Sequence, residues 1–272
     1  MRTTIRQAML TARAMLPPND DTRFDILCLA EHAFHMDKTR LRLRAEQAVD
    51  PAPFYALIKR RAAGEPLQYI LGAWEFYGLP FAVGPGVLIP RPETELLVDF
   101  ALEFLRDKEN PVVLDLCAGS GCVGLSVAHH CPNAQVHLVE LSDEAMPYLL
   151  QNAQPYKNAT VHHADIFHCS LFIVHCLLIL SNPPYVKTGD IEALSEEVRR
   201  EPAMALDGGG DGLRFYRALA ERWLPLLRPG GRMAVECGEG QAAAVAEMFT
   251  GHATGTMRDL RGVERVVWAE KA

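Results

Sequence analysis

The chain reads as an α/β protein: a largely parallel sheet covered on both faces by helices, preceded by a small all-helical domain. Three observations predict this. From residue 112 onward, strand-length apolar runs alternate with helix-length segments, the pattern of crossover-connected parallel strands. The first of these runs leads into a glycine-rich bend, Asp115-Leu116-Cys117-Ala118-Gly119-Ser120-Gly121, as expected where a strand turns into a helix above a ligand. Residues 1 to about 72, by contrast, carry only helix-period patterns separated by turn residues.

Taken in order, Thr4 to Leu16 is predicted as a helix stopped by Pro17-Pro18. Thr22 to Phe34 follows, with Phe24, Leu27, Cys28 and Ala30 expected toward a common core. Asp37 to Leu43 is a short helix, and Pro53 to Ala63 ends at Gly64. Residues 74–91 change character. Glu75-Phe76-Tyr77 and Phe81-Ala82-Val83 flank a turn placed at Gly78-Leu79-Pro80, and Gly84-Pro85-Gly86 precedes Val87-Leu88-Ile89, which together fit a β-hairpin linker. Arg91-Pro92-Glu93-Thr94 then opens a helix from Glu95 to Arg106. The expected organisation is a helical domain over 1–73, a linker over 74–91 and a sheet domain over 92–272.

Seven strands are expected beyond the linker: Val112–Cys117, Gln135–Leu141, Thr160–Asp165, Leu177–Ser181, Arg232–Cys237, and a final pair near Thr254–Leu260 and Arg265–Ala269. Helices fill the gaps at Gly121–His129, Asp143–Asn152, Gly212–Leu226 and Gln241–Thr250. Only Arg261-Gly262-Val263 separates the last two strands, so they should pair antiparallel at a sheet edge.

Of 272 residues, 49% are hydrophobic and 22% charged, which fits an ordinary globular core. The formal net charge of -7 argues against holding nucleic acid mainly by phosphate neutralisation. The Arg40/Arg42/Arg44 and Lys59/Arg60/Arg61 clusters read as solvated helix faces. The seven cysteines are odd in number and form no Cys-x-x-Cys pair, so they read as reduced thiols of a cytoplasmic protein. Met1 to Thr11 lacks a signal-peptide core, and the longest apolar stretch, Leu171 to Leu180, is too short to span a bilayer and contains His175. His162, His163, Asp165, His168, Cys169 and His175 crowd one segment, but their spacing matches no zinc pattern. Nothing in the sequence calls for more than a monomer.

Two cofactors compete for the glycine bend. Gly119, Gly121 and Gly124 satisfy Gly-x-Gly-x-x-Gly, and Glu140 stands where a dinucleotide fold places its ribose-binding acid. S-adenosylmethionine also uses a glycine turn and a ribose acid, but carries an ammonium and a sulfonium instead of a pyrophosphate. Asp115 suits that ammonium, Glu140 the ribose diol, and Asp165 the adenine amino group, with Ile166 and Phe167 flanking the ring. Three carboxylates suit a cationic ligand better than a dianionic one, which favours S-adenosylmethionine.

The fourth strand ends in Asn182-Pro183-Pro184-Tyr185. Such a turn offers a side-chain amide, a carbonyl with no neighbouring N–H, and a flat ring. It suits a planar –NH2 group: Asn182 and the Pro183 carbonyl accept its two hydrogens while Tyr185 lies against its plane. Adjacent prolines by themselves merely end a strand. Together with the carboxylates they indicate transfer of a methyl group to an amide or amine nitrogen.

These residues resemble the class I S-adenosylmethionine-dependent methyltransferases, and within them the release-factor glutamine methyltransferases. The resemblance covers most of the chain. Its most specific parts are Pro66-Leu67-Gln68-Tyr69-Ile70-Leu71-Gly72, Glu75-Phe76, Val87 through Glu95, and Asp259-Leu260-Arg261-Gly262 followed by Arg265-Val266-Val267. It implies a Rossmann-like methyltransferase sheet with an antiparallel last strand, a helical N-terminal substrate-binding domain and a hairpin linker. The implied cofactor residues are Cys117, Ala118, Gly119, Ser120, Gly121, Glu140, Ile166 and Asn182. The implied substrate is the glutamine of the Gly-Gly-Gln loop of peptide chain release factors, held by Asn182, Pro183, Pro184 and Tyr185. The family often has Thr or Gly where this chain has Cys117-Ala118, and an aromatic where it has Ile166. An alternative class is a nucleic-acid methyltransferase acting on adenine, cytosine or guanine amino groups, which would need a basic groove.

Overall fold

The structure is a computed structural model describing residues 2–18, 21–168 and 175–272. The apolar run at Leu171–Val174, with Cys169, falls outside the described residues. The chain divides into two compact units, Met1–Ala73 with Glu196–Arg200, and Trp74–Ser195 with Glu201–Ala272. Among the described residues no helix is long and apolar enough to cross a membrane.

The first unit is built from α1 (Ile5–Met15), α2 (Thr22–Phe34), α3 (Lys38–Leu43), α4 (Ala52–Ala62) and α5 (Leu67–Leu71), with a minimal β1–β2 pairing of Thr3–Thr4 against Ala48–Val49. Sequence chemistry sets its boundaries. The Thr4 hydroxyl accepts from Gln7 N at 3.2 Å and the Asp37 carboxylate from Arg40 N at 2.8 Å, capping α1 and α3. Gly72, at φ +75°, closes α5. That one-and-a-half-turn helix was not anticipated, being too short to show a period.

The buried face of α2 differs from expectation. Thr22, Asp25, Ile26, Leu29 and Ala30 point inward, while Phe24 is 51% exposed and Leu27 and Cys28 are half-buried. The helix is apolar on nearly every side, so two stripes competed, and the winning one contains a carboxylate. What admits Asp25 is Arg61 of α4, whose guanidinium donates to it at 2.7 Å and to Glu197 at 3.0 Å. Burial outweighs the guanidinium and holds the Asp25 carboxyl above its usual range. Arg61→Ala is therefore expected to cost about 1–3 kcal/mol, because a buried acceptor loses its partner and takes up a proton instead; urea denaturation at neutral pH measures it.

The hairpin is formed by β3 (Ala73–Phe76) and β4 (Leu79–Ala82). Its turn is Tyr77-Gly78, not Gly78-Leu79-Pro80: both residues have positive φ, 52° and 71°, giving the primed twist that two-residue hairpins favour. Tyr77 tolerates this because its N–H and hydroxyl donate to Glu95 and Asp99. These carboxylates lie on α6 (Glu95–Leu105), which follows a 3₁₀ turn at Pro92–Thr94. Val87–Ile89 is irregular rather than a strand.

The main sheet contains β5 (Val112–Leu116), β6 (Gln135–Glu140), β7 (Ala159–His163), β8 (Cys176–Ser181), β9 (Leu227–Glu236), β10 (Ala253–Arg258) and β11 (Glu264–Glu270), in the order β10-β11-β9-β8-β5-β6-β7. The five strands from β9 to β7 are parallel; β11 runs antiparallel to β9 and to the edge strand β10. Helices α7 (Cys122–His130), α8 (Met146–Ala153), α9 (Arg214–Ala218, prolonged through a π turn to Trp223 and a 3₁₀ turn to Leu226) and α10 (Ala242–Met248) fill the gaps in the chain. Two apolar clusters, one containing Val113, Leu178 and Ala234 and the other Leu114, Ile179 and Val235, take alternate residues of the central strands, as expected of strands buried on both faces. From β5 the chain steps outward through β6 to β7, then returns to place β8 on the other side of β5. This reversal opens a crevice at the carboxyl ends of β5 and β8, where ligands of open α/β sheets bind.

Candidate functional site

At that reversal lies a cleft of about 390 Å³. The register sets its geometry. Leu116 of β5 pairs with Ser181 of β8, and the Ser181 hydroxyl donates to the Leu116 carbonyl at 2.7 Å. The next residues on the two strands, Cys117 and Asn182, therefore emerge side by side, and both line the cleft.

The glycine bend is shaped by backbone demands. Cys117, Gly119 and Gly121 all have positive φ, at 61°, 55° and 81°. A non-glycine residue in this region is strained, so Cys117 is held by its surroundings: the next residue's N–H donates to the Val139 carbonyl at 3.0 Å. Gly121 has a second reason, since a Cβ there would meet Leu149 Cδ1 at 2.6 Å. Of the predicted bend residues, Cys117, Ala118, Gly119 and Ser120 line the cleft, whereas Gly121 caps α7 behind it. Asn152 of α8 ties the bend to the hairpin, donating to the carbonyls of Ser120 and Ala82 and accepting from Ala82 N.

All three predicted carboxylates reach the cleft. Asp115 is buried and accepts from Gly124 N at 2.8 Å. Burial, offset in part by that N–H and reinforced by nearby Glu140, pushes its carboxyl up to about 7. Glu140 accepts from Gly119 N at 2.7 Å with one oxygen, and from Leu141 N at 2.9 Å and Ser142 N at 2.7 Å with the other. A carboxylate offers about four lone-pair sites, so about one remains for a ligand hydroxyl. Asp165 does not end a strand as expected: β7 stops at His163, and Asp165 lies in the following loop, accepting from Phe167 N at 2.8 Å. The Ile166 carbonyl accepts from Trp223 Nε1 at 3.0 Å, which keeps this loop against the sheet.

In the Asn-Pro-Pro-Tyr turn, Asn182 and Pro184 line the cleft; Pro183 and Tyr185 do not. Asn182 Nδ2 donates to Thr94 Oγ1 at 3.1 Å, which leaves Oδ1 as the amide's acceptor. Tyr185 points its hydroxyl to Glu236 Oε1 at 3.3 Å, and its phenol is pushed up by burial and by that carboxyl. Its carbonyl accepts from Gln241 Nε2 at 3.0 Å. The chain leaving the turn is locked by backbone bonds, Val186 N to the Leu206 carbonyl and Gly208 N to the Val186 carbonyl.

The sequence reading missed several residues. Thr94, Arg91, Asp207, Arg214 and Phe215 also line the cleft, and Arg214 stacks 4.5 Å over the Phe167 ring. Glu236 had a legible signal, an acid ending an apolar strand, but not its partners. Among the described residues no three His, Cys, Asp or Glu side chains gather to hold a metal.

Residues 7–72 match the family described as the PrmC N-terminal domain, and residues 94–214 the methyltransferase small domain. The release factor glutamine methyltransferase of Geobacter sulfurreducens is 41% identical over 276 residues, covering 97% of this chain and 95% of its own. That of Moorella thermoacetica is 39% identical over 253 residues, covering 90% and 89%. A methyltransferase structure from Pyrococcus furiosus superposes with a TM-score of 0.52 at 19% identity, covering 72% of this chain and 91% of that one, and speaks for the fold alone.

Proposed function

The chain belongs to the release factor glutamine methyltransferases, and from that membership we propose how its own residues perform the reaction. It is an S-adenosylmethionine-dependent enzyme that methylates the side-chain amide nitrogen of a release-factor glutamine. The glutamine is that of the Gly-Gly-Gln loop, and the helical domain over 1–73 docks the release factor.

The observation that carries this reading is the Leu116–Ser181 register, which places the glycine bend and Asn182 at one carboxyl edge, in one cleft. The residues fit S-adenosylmethionine. Asp115 is a buried carboxyl that calls for a cation, Glu140 keeps about one lone pair for a ribose hydroxyl, and Ile166 and Phe167 give apolar surface beside Asp165 for the adenine. When bound, the cofactor supplies a methyl group activated on a sulfonium. Asn182 Oδ1 accepts one amide hydrogen of the substrate glutamine and the carbonyl of Pro183, buried between the cleft-lining Asn182 and Pro184, accepts the other, and together they turn the nitrogen lone pair toward the bend. The Asn182–Thr94 bond holds the acceptor oxygen ready before substrate arrives. No base is needed before attack, because the methylated nitrogen is acidified and sheds its proton afterward. Positioning and electrostatics carry the rate.

Purified release factor incubated with this protein and S-adenosylmethionine tests the reading by mass spectrometry. One methyl group on the Gly-Gly-Gln glutamine is expected. Labelling of free DNA or ribosomal RNA, with release factor untouched, would reverse it.

Cofactor binding should follow Asp115. Its free carboxyl titrates near 7 and the ligand ammonium favours the charged form. Affinity should therefore rise with pH by about tenfold per unit up to roughly pH 7, then level off, with one proton released per ligand bound on the acid side. Titration calorimetry in two buffers of different ionisation enthalpy measures both, and Asp115→Asn should flatten the dependence.

A further inference from the structure

Behind the Asn-Pro-Pro-Tyr turn sits a carboxylate that the reaction as described does not use. Glu236 ends β9, is 2% exposed, and does not line the cleft. Its Oε1 accepts from the Tyr185 hydroxyl at 3.3 Å, and the Thr94 hydroxyl also hydrogen-bonds this carboxyl. Oε2 is buried with no partner among the described residues. Thr94 is 1% exposed and accepts from Asn182 Nδ2. A hydroxyl has one hydrogen. If that hydrogen goes to Glu236, only the lone pairs of Thr94 remain to face Asn182, and they can bond only the NH2 side of its amide.

We propose that Glu236 is a positioning residue for methyl transfer: its buried carboxylate fixes the Tyr185 ring and, through the Thr94 hydroxyl, sets the Asn182 amide with Oδ1 toward the substrate. The inference rests on the proposed role of Asn182 and adds what selects its orientation. The donor and acceptor order runs one way, from Asn182 Nδ2 to Thr94 Oγ1 and from Thr94 O–H to the carboxylate. A protonated Glu236 breaks that order, since its own O–H competes for the Thr94 lone pairs and frees the amide to turn over. The groups facing it from neighbouring elements are Tyr185 after β8, Glu93 and Thr94 before α6, Arg265 on β11, and Tyr216 on α9, whose hydroxyl donates to the Glu236 backbone carbonyl at 2.9 Å. Burial, followed by the opposing hydrogen bonds of Thr94 and Tyr185, the charge of Glu93 and the opposing charge of Arg265, leaves the carboxyl pushed up to about 7. The switch therefore falls near neutral pH.

The test compares wild type, Glu236→Gln, Thr94→Val and the double variant. It reads methyl transfer to intact release factor between roughly pH 5.5 and 9, S-adenosylmethionine affinity by calorimetry, and stability against pH by chemical denaturation. Wild-type kcat should fall on the acid side of about pH 7, a limb separate from the Asp115 effect, which enters through KM for the cofactor. Glu236→Gln should lower kcat about tenfold or more, lose the acid limb and keep cofactor affinity within about twofold. Thr94→Val should fall about as far, and the double variant little further, as expected of one relay. Independently of turnover, the carboxyl is raised in the folded state, so its contribution to stability is lost as pH rises toward about 7; relative to wild type, Glu236→Gln should gain stability over that interval and then level off. Wild-type kcat and pH profile in a folded Glu236→Gln, or fully additive Glu236 and Thr94 losses, would overturn the relay while leaving the parent reading intact. Failure of wild type to methylate release factor would overturn both.

Discussion

Asn182→Ala is expected to lose methyl transfer by about 10³-fold or more while binding S-adenosylmethionine within a few-fold of wild type. The asymmetry follows from the geometry. The proposed cofactor contacts are spread over Asp115, the glycine bend, Glu140 and the Asp165 loop, all lining the cleft, so one amide should contribute little to them. The substrate amide has a nearly non-nucleophilic nitrogen whose lone pair must be aimed, and in the proposed clamp Asn182 Oδ1 supplies one of its two acceptors. Removing that oxygen leaves one N–H unpaired and the amide free to rotate. Asn182→Asp is the sharper control: it keeps the acceptor oxygens but cannot donate to Thr94, so the side chain loses the bond that orients it, and activity should fall nearly as far. Single-turnover transfer with release factor, beside calorimetry of the cofactor alone, separates the two effects. Wild-type turnover by Asn182→Ala would remove the mechanism.

The second large effect is expected at Gly208, which does not line the cleft. A Cβ on Gly208 would stand 2.8 Å from the Pro184 carbonyl oxygen, 2.8 Å from Tyr185 Cα and 2.9 Å from the Gly212 carbonyl oxygen. All three are backbone atoms, so no side chain can swing aside. Gly208 does not have positive φ, so the obstacle to alanine is the close approach of these backbone atoms. The added methyl must displace either the 206–209 segment or the Pro184-Tyr185 backbone, and the bonds from Val186 to Leu206 and Gly208 couple the two. Displacing the turn by a fraction of an ångström moves both acceptors away from the amide hydrogens. Gly208→Ala should therefore lower kcat by about 10²-fold and cost about 1–3 kcal/mol of stability, with cofactor affinity retained. Gly210→Ala, two residues on in open space and with no positive φ, should be silent in both. An active Gly208→Ala would mean that the turn tolerates displacement and is not the clamp.

The elements legible in the sequence were those encoded by local pattern. All seven expected strands of the main sheet are present, although β7 ends at His163 instead of Asp165 and β9 begins at Leu227 instead of Arg232, and the closing antiparallel pair followed from a three-residue turn. The glycine bend and Asn182 were legible because each follows its strand directly. What sequence could not supply was long-range partnership. Thr94 reads as a helix-start residue until β8 brings Asn182 to it, and Glu236 reads as another strand-end acid until Tyr185 and Thr94 close on it. Two of the local errors share that cause. Phe24 was placed inside because nothing local announces that Arg61 will neutralise Asp25. The hairpin turn was placed one residue late because tyrosine at positive φ is rare, and here it is sustained by Glu95 and Asp99, some twenty residues away.

Glu196–Arg200 packs with Met1–Ala73 in one compact unit, which bears on how this enzyme can be dissected. The helical unit is discontinuous: a short excursion of the chain downstream of Asn182 completes it, with Glu197 meeting Arg61 and Arg200 donating to the Ala63 carbonyl. Deleting the first 73 residues thus does more than remove a module. It strips a five-residue loop of its packing partners and leaves it loose between Asn182 and Gly208. A truncated enzyme that fails to act on release factor would confound lost docking with a slackened loop. Charge-reversing changes on the exposed helix faces, with every residue of the chain retained, avoid that ambiguity.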